Sequence, residues 1–120
     1  MQVNERDLAY LVDIVTCCND ILEFTAGISV EQFAADKMRR LATERQLETI
    51  GEAARRVSGP TQDRLSDVPW SKIVGVRNKL AHDYGEILAI RVWQIVRENI
   101  PGLQQRLLAI SEVAEQFAEE

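Results

Sequence analysis

Three features of the sequence predict an all-α domain. Apolar residues recur at the three- and four-residue spacing of a helix face along nearly the whole chain, and capping residues stand where those runs begin. Sustained period-two alternation is missing, as is any Asn-Gly or Asp-Gly hairpin. With 120 residues, 46% of them hydrophobic, the chain has material for one core, and one domain over residues 1–120 is expected, with the last few residues frayed.

The elements follow in order. Asn4 can cap a first helix running to about Gly27, with Leu8, Leu11, Val12, Val15, Cys18 and Leu22 on its inner face. Asp13 and Asp20 on that helix lack the tight oxygen clustering of a metal loop and read as surface acids. Ser29 and Gln32 have the spacing of a capping box and open the longest helix, about 29–58. Phe33, Leu41, Leu47, Ile50, Ala54 and Val57 supply its apolar stripe, which Thr43, Glu44 and Arg45 interrupt. A glycine inside a helix costs about 1 kcal/mol relative to alanine, so Gly51 points to a neighbour packed close. Ser58-Gly59-Pro60 ends the helix, and 60–68 is a connector with a short turn around Thr61–Leu65.

A central helix, 69–83, is expected next, with Ser66 or Asp67 as N-cap, Pro69 in its first turn and a stop near Gly85. Beyond it, one helix carries Ile87, Ile90, Val92, Trp93 and Val96. Pro101 then begins or kinks a last one with Leu103, Leu107, Leu108, Ile110 and Val113.

The central helix carries the unusual pattern. At about 100° per residue, Ile73, Val76 and Leu80 form a core stripe, while Ser71, Gly75, Asn78 and His82 recur on another face that is small and polar. His82 is the single histidine of the chain, and Arg77 lies roughly 140° around the helix from it, with Asn78 between. An imidazole can accept and donate protons near neutral pH, and a guanidinium is shaped to hold phosphate oxygens. The pair suits cleavage of a phosphate ester, Asn78 can orient either partner, and Tyr84 adds a phenol. The alternative is structural: a histidine near a helix C-terminus also serves as a cap favoured by the dipole. Arg45 and Glu52, seven residues apart, share a face that could point toward Arg77 and His82. A structural ion pair or plain exposed charge fits them as well.

Composition excludes several classes. A net charge of −5 is wrong for a general nucleic-acid binder, so any RNA contact must be local. The acid gathers partly at the C-terminal end, and the basic residues at 37–56 are interleaved with carboxylates. Cys17 and Cys18 are adjacent, which disfavours bridging to each other; they read as small buried hydrophobes of a reducing cytosol. No signal peptide, long apolar run or lipidation box appears, so a cytoplasmic protein without membrane contact is expected. Glycine-rich phosphate loops, zinc-spaced Cys/His clusters and Gly-x-Ser-x-Gly elbows are missing, so chemistry without cofactor or metal is expected.

The run Arg77-Asn78-Lys79-Leu80-Ala81-His82-Asp83-Tyr84 resembles the motif of the HEPN superfamily, in particular the HepT toxins of MntA/HepT toxin–antitoxin systems: Arg, four residues, His, one residue, Tyr. The similarity continues through Leu11-Val12-Asp13-Ile14, Phe33, Asp36, the run 47–53, the run 69–78, Val92-Trp93 and the run 100–103. Departures are slight: Val76 stands where many relatives have methionine, and Ala81 where a larger aliphatic is frequent. The resemblance implies an up-and-down bundle of four to five helices, homodimeric, with two motifs in a shared cleft and metal-independent endoribonuclease activity. It further implies a small MntA-like nucleotidyltransferase antitoxin that transfers AMP to the motif tyrosine. Carried over, Arg77 and His82 are the catalytic pair, Asn78 a supporting residue and Tyr84 the adenylylation site. The rival expectation is a non-catalytic HEPN module that holds a nucleotidyltransferase.

Overall fold

The computed structural model describes residues 2–118, which fold into helices and connecting turns with no strand among them. In chain order the helices are α1 (Glu5–Thr25), α2 (Val30–Ala35), α3 (Lys37–Arg56), α4 (Gly59–Arg64), α5 (Trp70–Val74), α6 (Val76–Leu80), α7 (Gly85–Glu98), α8 (Ile100–Leu108) and α9 (Ser111–Glu115). The expected fraying at the C-terminal end falls in part on Glu119 and Glu120, outside the described residues. Among the described residues no helix is long and apolar enough to cross a membrane.

The four longest helices, α1, α3, α7 and α8, make the body of the all-α bundle. α1 lies chiefly against α3 and α8, and α2 against α7. Leu11, Ile14, Val15, Cys18 and Ile21 of α1 meet Leu47, Ile50 and Ala54 of α3, Val92 and Val96 of α7 and Leu107 of α8 in one contiguous buried cluster. Phe33 joins it from α2, its ring 5.2 Å from that of half-buried Trp93, which Arg97 covers at 5.2 Å.

Several boundaries differ from those read in the sequence, each for a local reason. The expected helix 29–58 is two helices because Asp36 leaves helical geometry (φ −101°, ψ 94°) and its carboxylate accepts the Arg39 N–H at 3.1 Å, capping a new start. The capping box at Ser29 and Gln32 is formed as expected. Short α4 occupies much of the expected connector. Pro69 itself, rather than Ser66 or Asp67, is the N-cap of α5. The expected helix 69–83 is interrupted at Gly75 and ends at Leu80, where the Ala81 and Asp83 N–H groups bond Asn78 and Leu80 carbonyls in tight three-residue turns. Similarly, the last helix stops at Leu108 and restarts as α9. Leu41, Ile87 and Ile90, placed on apolar stripes by spacing, are exposed.

A polar knot ties the first helix to the α3–α4 turn. Asp7 is 1% exposed, and its carboxylate accepts the Ser58 N–H and the Asn4 side-chain amide, each at 3.0 Å, and the hydroxyls of Ser58 and Thr61. Burial alone would raise its pKa, but these four donors together outweigh burial and hold the carboxyl below its ordinary value.

Candidate functional site

The segment 70–84 is fastened to the bundle at its beginning. Trp70 is buried and its indole N–H donates to the Leu65 carbonyl at 3.0 Å. Beside it α5 runs so close over α3 that a Cβ on Gly51 would stand 3.3 Å from the Ile73 carbonyl oxygen. The backbone contact that Gly51 signalled in the sequence is therefore made by the helix leading into the motif. Further along, the grip loosens. Ile73, Val76 and Leu80 are half-buried instead of forming a sealed core stripe, and α6 has no buried residue.

That loosening leaves the motif accessible. Ser71, Arg77, Asn78 and His82 are exposed, and Tyr84 is 81% exposed. The helix spacing survives on both sides of the interruption, because the Gly75 N–H bonds the Ser71 carbonyl at 3.0 Å and the Lys79 N–H bonds the Gly75 carbonyl at 3.1 Å. Ser71, Gly75 and Asn78 thus keep to one outward face. His82 follows in the tight turn that ends α6, and Tyr84 stands in extended geometry as the N-cap of α7. The turn is held by Asp83, whose carboxylate lies 3.5 Å from the Arg91 guanidinium. Gly85 follows with φ +53°, a left-handed conformation that glycine adopts without steric cost. Among the described residues, none of the Arg77, Asn78, His82 or Tyr84 side chains is tied up in an intramolecular hydrogen bond.

Arg77 lines a hollow of about 200 Å³ between α3 and α6, which Glu44 and Glu48 share. Burial raises the Glu44 pKa, Arg40 opposing and Glu48 adding to the shift. The sequence had marked this spot only as an interruption of the α3 stripe at Thr43-Glu44-Arg45; of those three, Glu44 lines the wall facing α6, while Thr43 is buried. Arg45 and Glu52 are placed differently from these two. Arg45 lies 3.6 Å from Glu48, and Glu52 bonds Arg55 at 2.7 Å. Both are exposed ion-pair members on their own helix, outside the Arg77 hollow.

An exposed imidazole, a guanidinium with free donors and a side-chain amide on one short segment can hold a phosphodiester and move a proton at it. The other candidate nucleophiles are silent. Burial pushes the Cys17 thiol to about 11, with Asp20 and Asp13 adding to it, and the Cys18 thiol to about 12, with Cys17 adding to it. Among the described residues no group of three His, Cys, Asp or Glu side chains is arranged to hold a metal ion.

Comparison with known proteins points to one family. A family model described as Ribonuclease HepT-like matches residues 14–110. A protein of Methanocaldococcus jannaschii named "Putative RNase" is 40% identical over 106 residues, spanning 88% of this chain and 97% of that protein. One of Caldanaerobacter subterraneus subsp. tengcongensis, likewise described as a "Putative RNase", is 35% identical across 84% of this chain and 90% of its own. The "Probable ribonuclease HepT" of Thermococcus cleftensis is 36% identical across 79% and 86%. No solved structure matches the chain significantly. A match over residues 14–110, joined to an all-helical fold and relatives that align along nearly their whole length, makes this chain a member of the HepT-like ribonuclease family of the HEPN superfamily.

Proposed function

We propose that the protein, acting as one domain over its whole length, is the toxin of a toxin–antitoxin pair: a metal-independent endoribonuclease that works as a homodimer in the cytoplasm. What supports this most is the exposure of Arg77, Asn78, His82 and Tyr84 together, in a chain whose relatives carry ribonuclease names. In this reading His82 takes the proton of a ribose 2′-hydroxyl as its oxygen attacks phosphorus. The bond from phosphorus to the 5′-oxygen breaks, and that oxygen takes a proton in turn. One histidine per chain cannot serve both ends at the same moment, so the His82 of a second copy supplies or receives the other proton. Arg77 offsets the negative charge on the phosphoryl oxygens, and Asn78 holds imidazole or substrate in place. Arg45 and Glu52 are at most a secondary influence through α3.

Control follows from Tyr84. Transfer of AMP to its hydroxyl by an MntA-like nucleotidyltransferase places a bulky anion two residues from His82, where it competes with RNA for Arg77. Its exposure makes that hydroxyl reachable by a second enzyme.

The test uses purified protein and single-stranded RNA in the presence of a chelator, comparing wild type with His82→Ala and Arg77→Ala. Cleavage by wild type, lost by at least about a hundredfold in either variant, is expected. Equal cleavage in all three, or none in wild type, overturns the proposal. The second reading, a non-catalytic module that holds a nucleotidyltransferase, is favoured by one observation: Ile87 and Ile90 lie exposed on α7, just beyond Tyr84. Failure of cleavage with retained binding of the partner would establish it.

A further inference from the structure

Behind the motif segment a groove of about 700 Å³ runs between α5–α6 on one side and the α7–α8 junction on the other. Leu47 and Ile50 of α3 form its floor; Ile73 and Val76 lie on one wall, Ile95 and Leu103 on the other. Lys72 and Lys79 line the α5–α6 edge. At one end Asp67 and Arg106, joined at 2.6 Å, are already satisfied by each other. Among the described residues neither lysine has a carboxylate within 4.0 Å.

Position ties this groove to the motif. Val76 and Leu47 line both the groove and the smaller hollow that holds Arg77, so the two depressions lie on either side of α6. Lys72 and Lys79, seven residues apart, fall on one side of the helix, and Lys79 is roughly 200° around from Arg77. Exposed Ser71 and Asn78, with half-buried Gly75 between them, therefore have a guanidinium along one flank and, along the other, two ammonium groups with no carboxylate partner among the described residues.

Charge and size select the occupant. The chain as a whole carries −5, yet Lys72, Lys79 and Arg106 against Asp67 and Glu98 leave the groove lining positive. Its volume lies within the roughly 300–1,000 Å³ typical of small-molecule sites. A splayed single strand meets both features together, with a phosphate at the edge and a base whose flat face packs on apolar side chains while its polar rim reaches solvent.

We infer that this groove is a subsite for single-stranded RNA: Lys72 and Lys79 take two phosphates beside the one at Arg77 and His82, and an unstacked base enters between Ile73 and Ile95. The inference rests on the ribonuclease reading and deepens it by naming what holds the substrate.

The experiment measures binding separately from cleavage. In full-length His82→Ala protein, affinity for a fluorescent single-stranded RNA of twelve nucleotides is read by anisotropy over a salt series. Adding Lys72→Glu and Lys79→Glu, both on exposed residues, is expected to weaken binding about tenfold or more. The slope of log affinity against log salt should shrink by about 1.4, since each phosphate contact on a single strand contributes about 0.7. Gly102→Trp adds bulk at the groove edge, where a Cβ meets nothing within 4 Å. It should weaken intact RNA several-fold, leave abasic RNA unchanged and preserve the salt slope. Affinity within twofold of the parent after the double reversal overturns the inference, as does abasic RNA binding as tightly as intact RNA. A change in sedimentation mass with RNA affinity unchanged also overturns it, because a second copy then covers the groove. If wild type and His82→Ala cut RNA equally, the ribonuclease reading fails, while the anisotropy series still reports on the groove.

Discussion

A methyl group on Gly51 of α3 would stand 3.3 Å from the Ile73 carbonyl oxygen of α5 and 3.8 Å from that of Val74. The neighbour is backbone, which cannot swing aside as a flexible side chain could. Gly51→Val should therefore cost about 2–3 kcal/mol in denaturant unfolding, despite the higher helix propensity of its replacement. RNA cleavage should fall further than the lost folded fraction explains, on the order of tenfold to a hundredfold, because α5 leads directly into the motif segment and sets where it lies on α3. Gly51→Val with full activity and unchanged stability would mean that this close approach positions nothing.

Asp7 should set the acid limit of the fold. Its folded pKa is depressed, so the stabilisation it gives is present in full above the ordinary carboxylate value of about 4 and is lost as pH falls through the lower folded value. Asp7→Ala should cost about 2–4 kcal/mol at neutral pH, leaving the Ser58 amide and hydroxyl without their acceptor. In thermal melts between pH 7 and pH 2, the gap between wild type and variant should close at the acid end. A gap that widens on acidification would contradict the hydrogen-bond account.

Both cysteines should be silent in the folded protein. With thiols pushed up to about 11 and 12, almost no thiolate exists at neutral pH, and Cys18 is fully covered. A disulfide-exchange reagent at pH 7.5 should react only after denaturant is added, then with both thiols. Rapid reaction of native protein would show that α1 opens locally.

Tyr84→Phe should separate toxicity from its control. The ring stays in place at the start of α7 and Arg77 and His82 are untouched, so cleavage should remain within about threefold of wild type. With a nucleotidyltransferase and ATP, intact mass should rise by one AMP in wild type and stay constant in the variant, whose growth inhibition then persists. Mass addition on the variant would place the modification elsewhere.

The helical class and most helix starts were legible because they depend on local chemistry. Asn4 accepts from the Asp7 amide, Ser29 and Gln32 close their box, and Pro101 sits in the first turn of α8. Gly51 was legible too, since a helix tolerates glycine poorly without a contact in return. The breaks at Asp36 and Gly75 were not: periodicity carries across a single irregular residue, and only the geometry shows the carboxylate of Asp36 turning to cap a new helix. Leu41, Ile87 and Ile90 were misplaced for a related reason, because spacing assigns a residue to a face without saying whether anything lies against that face. The motif residues stood out through their rarity and order in the chain. Glu44 and Glu48 could be matched with Arg77 only once α3 and α6 were seen side by side.

The five-residue helices α5 and α6 have neither a side-chain N-cap nor the length to be stable alone. Held at Trp70 and Gly51 and loosely thereafter, they form the stretch whose amides should exchange with deuterium well before those of α1 and α3. Arg77 and Asn78 thus ride on one of the thinnest pieces of secondary structure in the molecule, so their placement depends on the few contacts that tie this stretch to α3 and α7.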